Sequence, residues 1–147
     1  MNNPDIRERL SRRITAEEYE EIRRLWIDHS KAEDGRDLEG LVSTLAPNCV
    51  YEMVQTGHRW EGHSGARSFY TDFLSAFPDV TFDLQEIVIG PQGVFEEAVM
   101  TGTRKGVWLG APADNQILHA RVMILFPWDR QHRRFAGEKI WMEALKA

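Results

Sequence analysis

Gln116-Ile117-Leu118-His119-Ala120-Arg121-Val122-Met123-Ile124-Leu125-Phe126-Pro127 is followed, across the polar segment 128–134, by Phe135-Ala136-Gly137-Glu138-Lys139-Ile140-Trp141-Met142-Glu143. In the first run Leu118, Ala120, Val122, Ile124 and Phe126 fall on one face while His119 and Arg121 interrupt the other, the period of two that marks a sheet strand. In the second run the same period sets Lys139, Trp141 and Glu143 on one side, and Ala136, Ile140 and Met142, with Glu138, on the other. The two runs read as neighbouring strands that complete a sheet. If Trp141 points into a cavity, so does Glu143. An apolar cavity penalises the charged form of a carboxyl group and moves its pKa toward neutrality, so Glu143 is the first candidate proton carrier.

The chain ahead of this pair supplies three helices and four more strands. Thr15 with Glu18 reads as a capping box, with Ile14 and Tyr19 placed as a hydrophobic staple, and Tyr19, Ile22, Leu25, Trp26 and His29 recur at helical spacing. That helix fades near Asp34-Gly35, and Asp37 caps a shorter one carrying Leu38, Leu41, Val42 and Leu45, which Pro47 closes. A strand over 49–55, the turn Thr56-Gly57 and a short return strand over 58–61 make a hairpin. Ser64 then caps a helix whose Ala66, Phe69, Tyr70, Phe73, Leu74 and Phe77 follow the i, i+3, i+4, i+7 rule up to Pro78. Strands over 80–89 and 94–105 come next, separated by Gly90-Pro91-Gln92-Gly93. The order predicts an α+β fold in which helices gather on one face of a curved antiparallel sheet and leave a cone-shaped hollow between.

At 147 residues the chain is one domain's worth, a polar segment over 1–13 preceding a single domain over 14–147. A chain of this size buries roughly two-thirds of its unfolded surface. The net charge of −5 comes from intermixed acids and bases with no basic stripe, which sets nucleic acid and anionic membranes aside as partners. The single cysteine, Cys49, excludes an internal disulfide, a thiolate zinc site and an iron–sulfur cluster. The first thirteen residues hold no apolar stretch of the kind a secretory leader or membrane span needs, so a soluble cytoplasmic protein is expected.

Four separated motifs carry a resemblance. Gly62-His63-Ser64-Gly65-Ala66-Arg67-Ser68-Phe69-Tyr70, followed by Ala76-Phe77-Pro78-Asp79, resembles the helix and exit turn of the SnoaL-like polyketide cyclases, within the nuclear transport factor 2-like superfamily. Thr101-Gly102-Thr103-Arg104-Lys105-Gly106-Val107-Trp108-Leu109-Gly110-Ala111-Pro112 is similar to that family's Gly-Thr-His hairpin, with Arg104 where the family has His. Asp34-Gly35-Arg36-Asp37-Leu38 is similar to its inter-helix step, and Glu138-Lys139-Ile140-Trp141-Met142-Glu143 to its closing strand. The resemblance implies a cone of three helices on a curved antiparallel sheet, and acid/base chemistry without a cofactor on a small apolar carbonyl or hydroxyl compound. It places the family's closing aspartate at Glu143, whose extra methylene extends its reach by about 1.5 Å. Because this scaffold also hosts pure binding modules, a non-catalytic ligand-binding or protein-association role is the alternative.

Glu143 needs an apolar wall, which Trp141 and Met123 can supply, and a polar partner, which His119 or Arg121 can supply while stabilising a developing enolate oxygen. A second constellation is His29 with Glu33 one helical turn on and Asp34 beside it, where either acid could hold the imidazole in one tautomer. Tyr51, Met53, His58, Trp60, Phe69, Phe73 and Trp108, with Met123 and Trp141, are the expected pocket lining. His29, Glu33, His58 and His63 lie on separate elements without tight ligand spacing, so no metal site is expected. Apolar residues on both sides of the late strands imply a homodimer through the outer sheet face.

Overall fold

The computed structural model describes residues 2–146. Its first element is a helix within the segment the sequence reading left as merely polar, α1 (Pro4–Ser11). Asn3 caps it by accepting from the Asp5 N–H at 2.9 Å, and Pro4 occupies the first helical position, a start signal legible in the sequence. Thr15 then opens α2 (Ala16–Asp34) as predicted, its hydroxyl accepting from the Glu18 N–H at 3.1 Å. Asp37 opens α3 (Leu38–Ser43) in the same way. This helix stops before Pro47, because the Thr44 hydroxyl turns back to donate to the Leu41 carbonyl at 2.7 Å. Pro47 lies inside β1 (Leu45–Met53), where the pairing is irregular and its missing N–H is tolerated.

β2 (His58–Glu61) makes the expected hairpin with β1. α4 (Gly62–Ala76) begins two residues before Ser64, with Glu61 at the capping position and no side-chain cap. β3 (Thr81–Gly90), β4 (Gly93–Thr103), β5 (Ile117–Asp129) and β6 (Arg134–Ala144) follow. The six strands form one sheet in the order β2-β1-β6-β5-β4-β3. Every pair is antiparallel except β1 with β6, so the sheet is mixed where a wholly antiparallel one was expected. Among the described residues α1 brings the helices to four.

Register decides what the sheet shows to the helices. Tyr51 stands beside Glu138 and Met53 beside Ile140; Met142 stands beside Val122, and Ile124 beside Glu96. That inner face meets the buried residues Phe69, Tyr70 and Phe73 of α4 and Ile22 of α2. α2 is held across the sheet at both ends. At its start Glu18 accepts from Arg130 at 2.7 Å and from the Trp128 indole at 3.3 Å; just past its end Arg36 donates to the carbonyls of Val80 at 2.8 Å and Pro78 at 3.2 Å. Among the described residues no helix is long and apolar enough to cross a membrane.

The β1–β6 junction depends on Gly137. Its φ of 114° is open to glycine, and a Cβ there would run into the Val50 carbonyl. Gly137→Ala is expected to lower stability by about 2 kcal/mol or more, read as a shift of the urea midpoint. Gly57→Ala, with φ 77° but no atom within 4 Å of the added carbon, should cost only backbone strain of about 1 kcal/mol.

Candidate functional site

β6 places Glu138 on the inner face with 4 % of its surface exposed, and donors from other elements converge on it. Tyr70 of α4 donates to Glu138 Oε2 at 2.6 Å. The Tyr51 hydroxyl lies 2.6 Å from that of Tyr70 and donates to it. His29 of α2, 2 % exposed, brings Nε2 to 3.1 Å from the Tyr70 oxygen and 3.2 Å from Glu138 Oε2. On the other side of the ring, Nδ1 lies 2.8 Å from the Thr44 hydroxyl. Thr44 has given its one proton to Leu41, so toward His29 it accepts, and Nδ1 carries hydrogen. The Tyr70 proton is directed at Glu138, so the contact between Nε2 and Oε2 is attractive only with a further proton between them. Phe126 and Phe135 meet the imidazole edge-on at 5.3 and 6.4 Å, which fixes the ring plane.

Burial drives the electrostatics here. It pushes the hydroxyls of Tyr51 and Tyr70 well above the phenolic range, with the Glu138 carboxyl adding to it. Glu33, one turn after His29, is half-buried as a residue but its carboxyl end is enclosed. Desolvation first, then the neighbouring acids Glu138, Glu96 and Asp34, hold it well above the usual carboxylate range. Glu96 of β4 is raised to about 8 by burial and by Glu138. Among the described residues no group of three or more His, Cys, Asp or Glu side chains is placed to hold a metal ion.

Two cavities flank Glu33. The first is lined by Glu33 and Glu138 together with Met53, Phe69, Phe73, Phe82, Trp108 and Ile140, and measures about 20 Å³, room for about one water. The second, about 70 Å³, lies against Trp26, His29, Glu33, Phe82, Glu96 and Phe126. Where the sequence implies an open hollow between sheet and helices, rings nearly fill the space. Phe73 meets Phe69 and Trp108 at 5.9 and 5.2 Å between centroids, and Trp60 stacks on Trp108 at 6.3 Å.

The SnoaL-like polyketide cyclase model matches residues 20–140. The chain belongs to the SnoaL-like polyketide cyclase family. The fold agrees with solved structures. A protein of Jannaschia sp. CCS1 assigned as a SnoaL-like polyketide cyclase superposes with a TM-score of 0.77 at 16% identity, covering 90% of this chain and 92% of that one. One from Shewanella putrefaciens CN-32, assigned likewise, gives 0.70 at 12% identity over 82% and 88%. An NTF2-like protein of unknown function from Burkholderia pseudomallei K96243 gives 0.69 at 12% identity over 84% and 91%. No protein of curated function matches the chain.

On this SnoaL-like frame the closing strand is turned opposite to expectation. Glu143 is exposed on the outer face, and Trp141 lies on that face over the Lys139 ammonium at 5.9 Å from its ring. The same parity puts His119, Arg121 and Met123 outside. His119 contacts Thr101 at 3.1 Å and Arg121 pairs with Glu97 at 3.5 Å, so neither reaches the hollow as an oxyanion stabiliser. Trp141 and Met123 are corrected as lining for the same reason. His58 is exposed beside Thr56, and His63 Nε2 donates to the Leu45 carbonyl at 2.9 Å at the rim. Asp34 is exposed and borders the second cavity, where it does not touch His29. Met53, Phe69, Phe73 and Trp108 do line the first cavity; Tyr51 lies under it in the hydrogen-bonded chain, and Trp60 backs Trp108.

The reading missed Glu138, Tyr70, Thr44 and Glu96. Glu138 had a signal: it shares parity with Ile140 and Met142, whereas Glu143 shares it with Lys139. Two expected outcomes test the cluster. Tyr70→Phe deprives Glu138 and His29 of a shared hydroxyl and should cost about 1–3 kcal/mol in urea unfolding. Glu96 keeps its proton when folded up to about pH 8 and loses it near 4.5 when unfolded, so stability falls as pH rises through that window. Glu96→Gln should flatten that fall, seen as a smaller drop in Tm between the two ends of the window.

Proposed function

We propose that the chain is an acid/base enzyme acting on a small, largely apolar carbonyl or hydroxyl compound, of the cyclase, isomerase or dehydratase type and using no cofactor. The observation that carries this reading is the pairing of two carboxyls of opposite character on one cavity: Glu138, met by donors, and Glu33, surrounded by apolar groups and acids. Environments that push two acids apart assign one as base and the other as acid. Glu138 takes a proton from the carbon next to the substrate carbonyl. The electron pair of that C–H bond moves into the new carbon–carbon double bond, and the carbonyl pair moves to oxygen. Glu33 delivers its proton to that oxygen, giving the enol. Return of the proton from Glu138 at another carbon isomerises the compound; attack of the enol carbon on a second carbonyl closes a ring, the new alkoxide taking the proton held by Glu138; and a β-hydroxyl leaves as water with that same proton, the enol O–H returning its proton to Glu33 in each case. His29 and Tyr70 hold Glu138 and store the proton that the cycle moves.

A specific observation favours the second reading, a non-catalytic binding or association module: the first cavity holds room for about one water, so catalysis requires Trp108 or Phe82 to swing aside. Exchange of solvent deuterium into the α-position of a panel of small ketones, followed by mass spectrometry, separates the two. Exchange by the parent chain that drops by about 10³-fold in Glu138→Gln and persists in Glu143→Gln is the expected result. Equal exchange in Glu138→Gln would rule out the role given to it.

We also propose a homodimer through the outer sheet face, where half-exposed Phe95, Met123, Leu125 and Trp141 surround the Arg121–Glu97 pair. Light scattering should give about twice the 17.0 kDa chain mass, and Trp141→Lys should return it to one.

A further inference from the structure

The second cavity has features the acid/base reading does not use. Its walls are the rings of Trp26, Phe82 and Phe126, with Leu84, and its polar groups come from α2 and β4. Glu33 and Glu96 face it with carboxyls that have no hydrogen bond or ion pair among the described residues, although the Glu33 carboxyl is enclosed. An acid in a largely apolar cavity without a protein partner is costly, and water or a ligand in the cavity has to supply one. The protein itself supplies none. The cation that bears on Glu33, Arg36, gives its guanidinium to the carbonyls of Glu33, Asp34, Pro78 and Val80. His29 is taken by Thr44, Tyr70 and Glu138. The carboxyls are also not grouped as metal ligands. The volume of about 70 Å³ suits a compact head of several heavy atoms better than a bare ion.

We propose that this cavity is a subsite for an organic ammonium group, such as the methylated or otherwise cationic nitrogen of a small molecule, held between Glu33 and Glu96 with Trp26, Phe82 and Phe126 around it. Acids supply the opposite charge, and ring faces attract a desolvated cation. A phosphate or carboxylate head is disfavoured by the same acids. The proposal goes beyond the acid/base reading and does not rest on turnover, since binding alone tests it. Empty, Glu96 keeps its proton up to about pH 8 and Glu33 is held well above the usual carboxylate range, and a bound cation draws a proton off. The groups that bear on them are His29 and Asp34 from α2, Glu138 from β6, Tyr70 from α4, and Arg36.

The experiment is isothermal titration of the full chain with tetramethylammonium chloride and with tert-butanol, a neutral molecule of similar shape, at pH values on either side of 8. Saturable binding of tetramethylammonium with a Kd of about 1 mM or tighter, stronger at the higher pH, is expected, with proton release revealed by buffers of different ionisation enthalpy. Glu96→Gln, close in shape to the protonated acid, should weaken it at least about tenfold and remove most of the pH dependence. Trp26→Leu gives a second reading should that variant misfold: weaker tetramethylammonium binding with tert-butanol unchanged. No saturable binding, equal binding by Glu96→Gln, or tert-butanol binding as tightly as the cation would each overturn the subsite. Loss of ketone exchange with cation binding intact would remove the acid/base reading and leave this one standing.

Discussion

The hydrogen bond from Tyr70 to Glu138 is the contact on which the arrangement of layers turns. A carboxyl on a central strand beneath an aromatic layer costs several kcal/mol unless donors meet it. Here the groups that meet it come from separate elements: the donor Tyr70 from α4, Tyr51 from β1 through Tyr70, and the His29 ring from α2 alongside, with Thr44 at the end of α3 holding the far side of the imidazole. Helix and sheet can therefore dock in one relation only. A slip of β6 by one residue would turn Glu138 out and Lys139 in, leaving the hydroxyls of Tyr51 and Tyr70 without an acceptor and an ammonium under Phe126. The clamps at the two ends of α2, through Glu18 and Arg36, keep His29 over that point.

What the sequence made legible is what local geometry determines. Thr15 and Asp37 cap helices as read, and the apolar alternation from Leu118 to Phe126 is the inner face of β5, because caps and strand parity depend on residues near in the chain. The family motifs likewise brought the SnoaL-like fold within reach of the sequence. Parity in β6 was read correctly, but which parity faces inward was not. That choice belongs to the register with β1 and β5, set by the backbone at Gly137, and is not local. The aromatic Trp141 pulled the reading to the wrong side, although Lys139 and Glu143 on that side already had the pattern of a solvated face. His29 and Glu33 could be placed on one helix face because four-residue spacing is local. Thr44, Tyr70 and Glu96 come to them only in the folded chain.

Rigidity is distributed unevenly around the hollow. The polar floor is over-determined, every member holding another by a directional bond. The roof is made of rings, whose contacts are many, weak and non-directional, so rotating one exchanges contacts at modest cost. Trp108 sits in a tight turn closed by paired bonds with Ala111 at 3.0 and 2.9 Å, with φ of 49° at Leu109 and 79° at Gly110. The loop carrying that turn is pinned at its root by Lys105 N–H on the Ala76 carbonyl at 2.7 Å. The hydrogen bonds of that turn are its own, and among the described residues none joins the indole to the polar floor.

Three carboxyls, Glu33, Glu96 and Glu138, face one low-dielectric space, and their mutual repulsion keeps them from all ionising together. Among them Glu138 is met by the Tyr70 hydroxyl proton, with the His29 ring nitrogen 3.2 Å from the same oxygen. The other two are held above the usual carboxylate range, Glu96 at about 8. One buried space so sets a hydrogen-bonded carboxyl beside two whose protons are held beyond the usual range. It does so without any exposed titratable group, which is why moving the acid from the outer face, where Glu143 stands, to the inner one changes the chemistry available to the site and not merely its address.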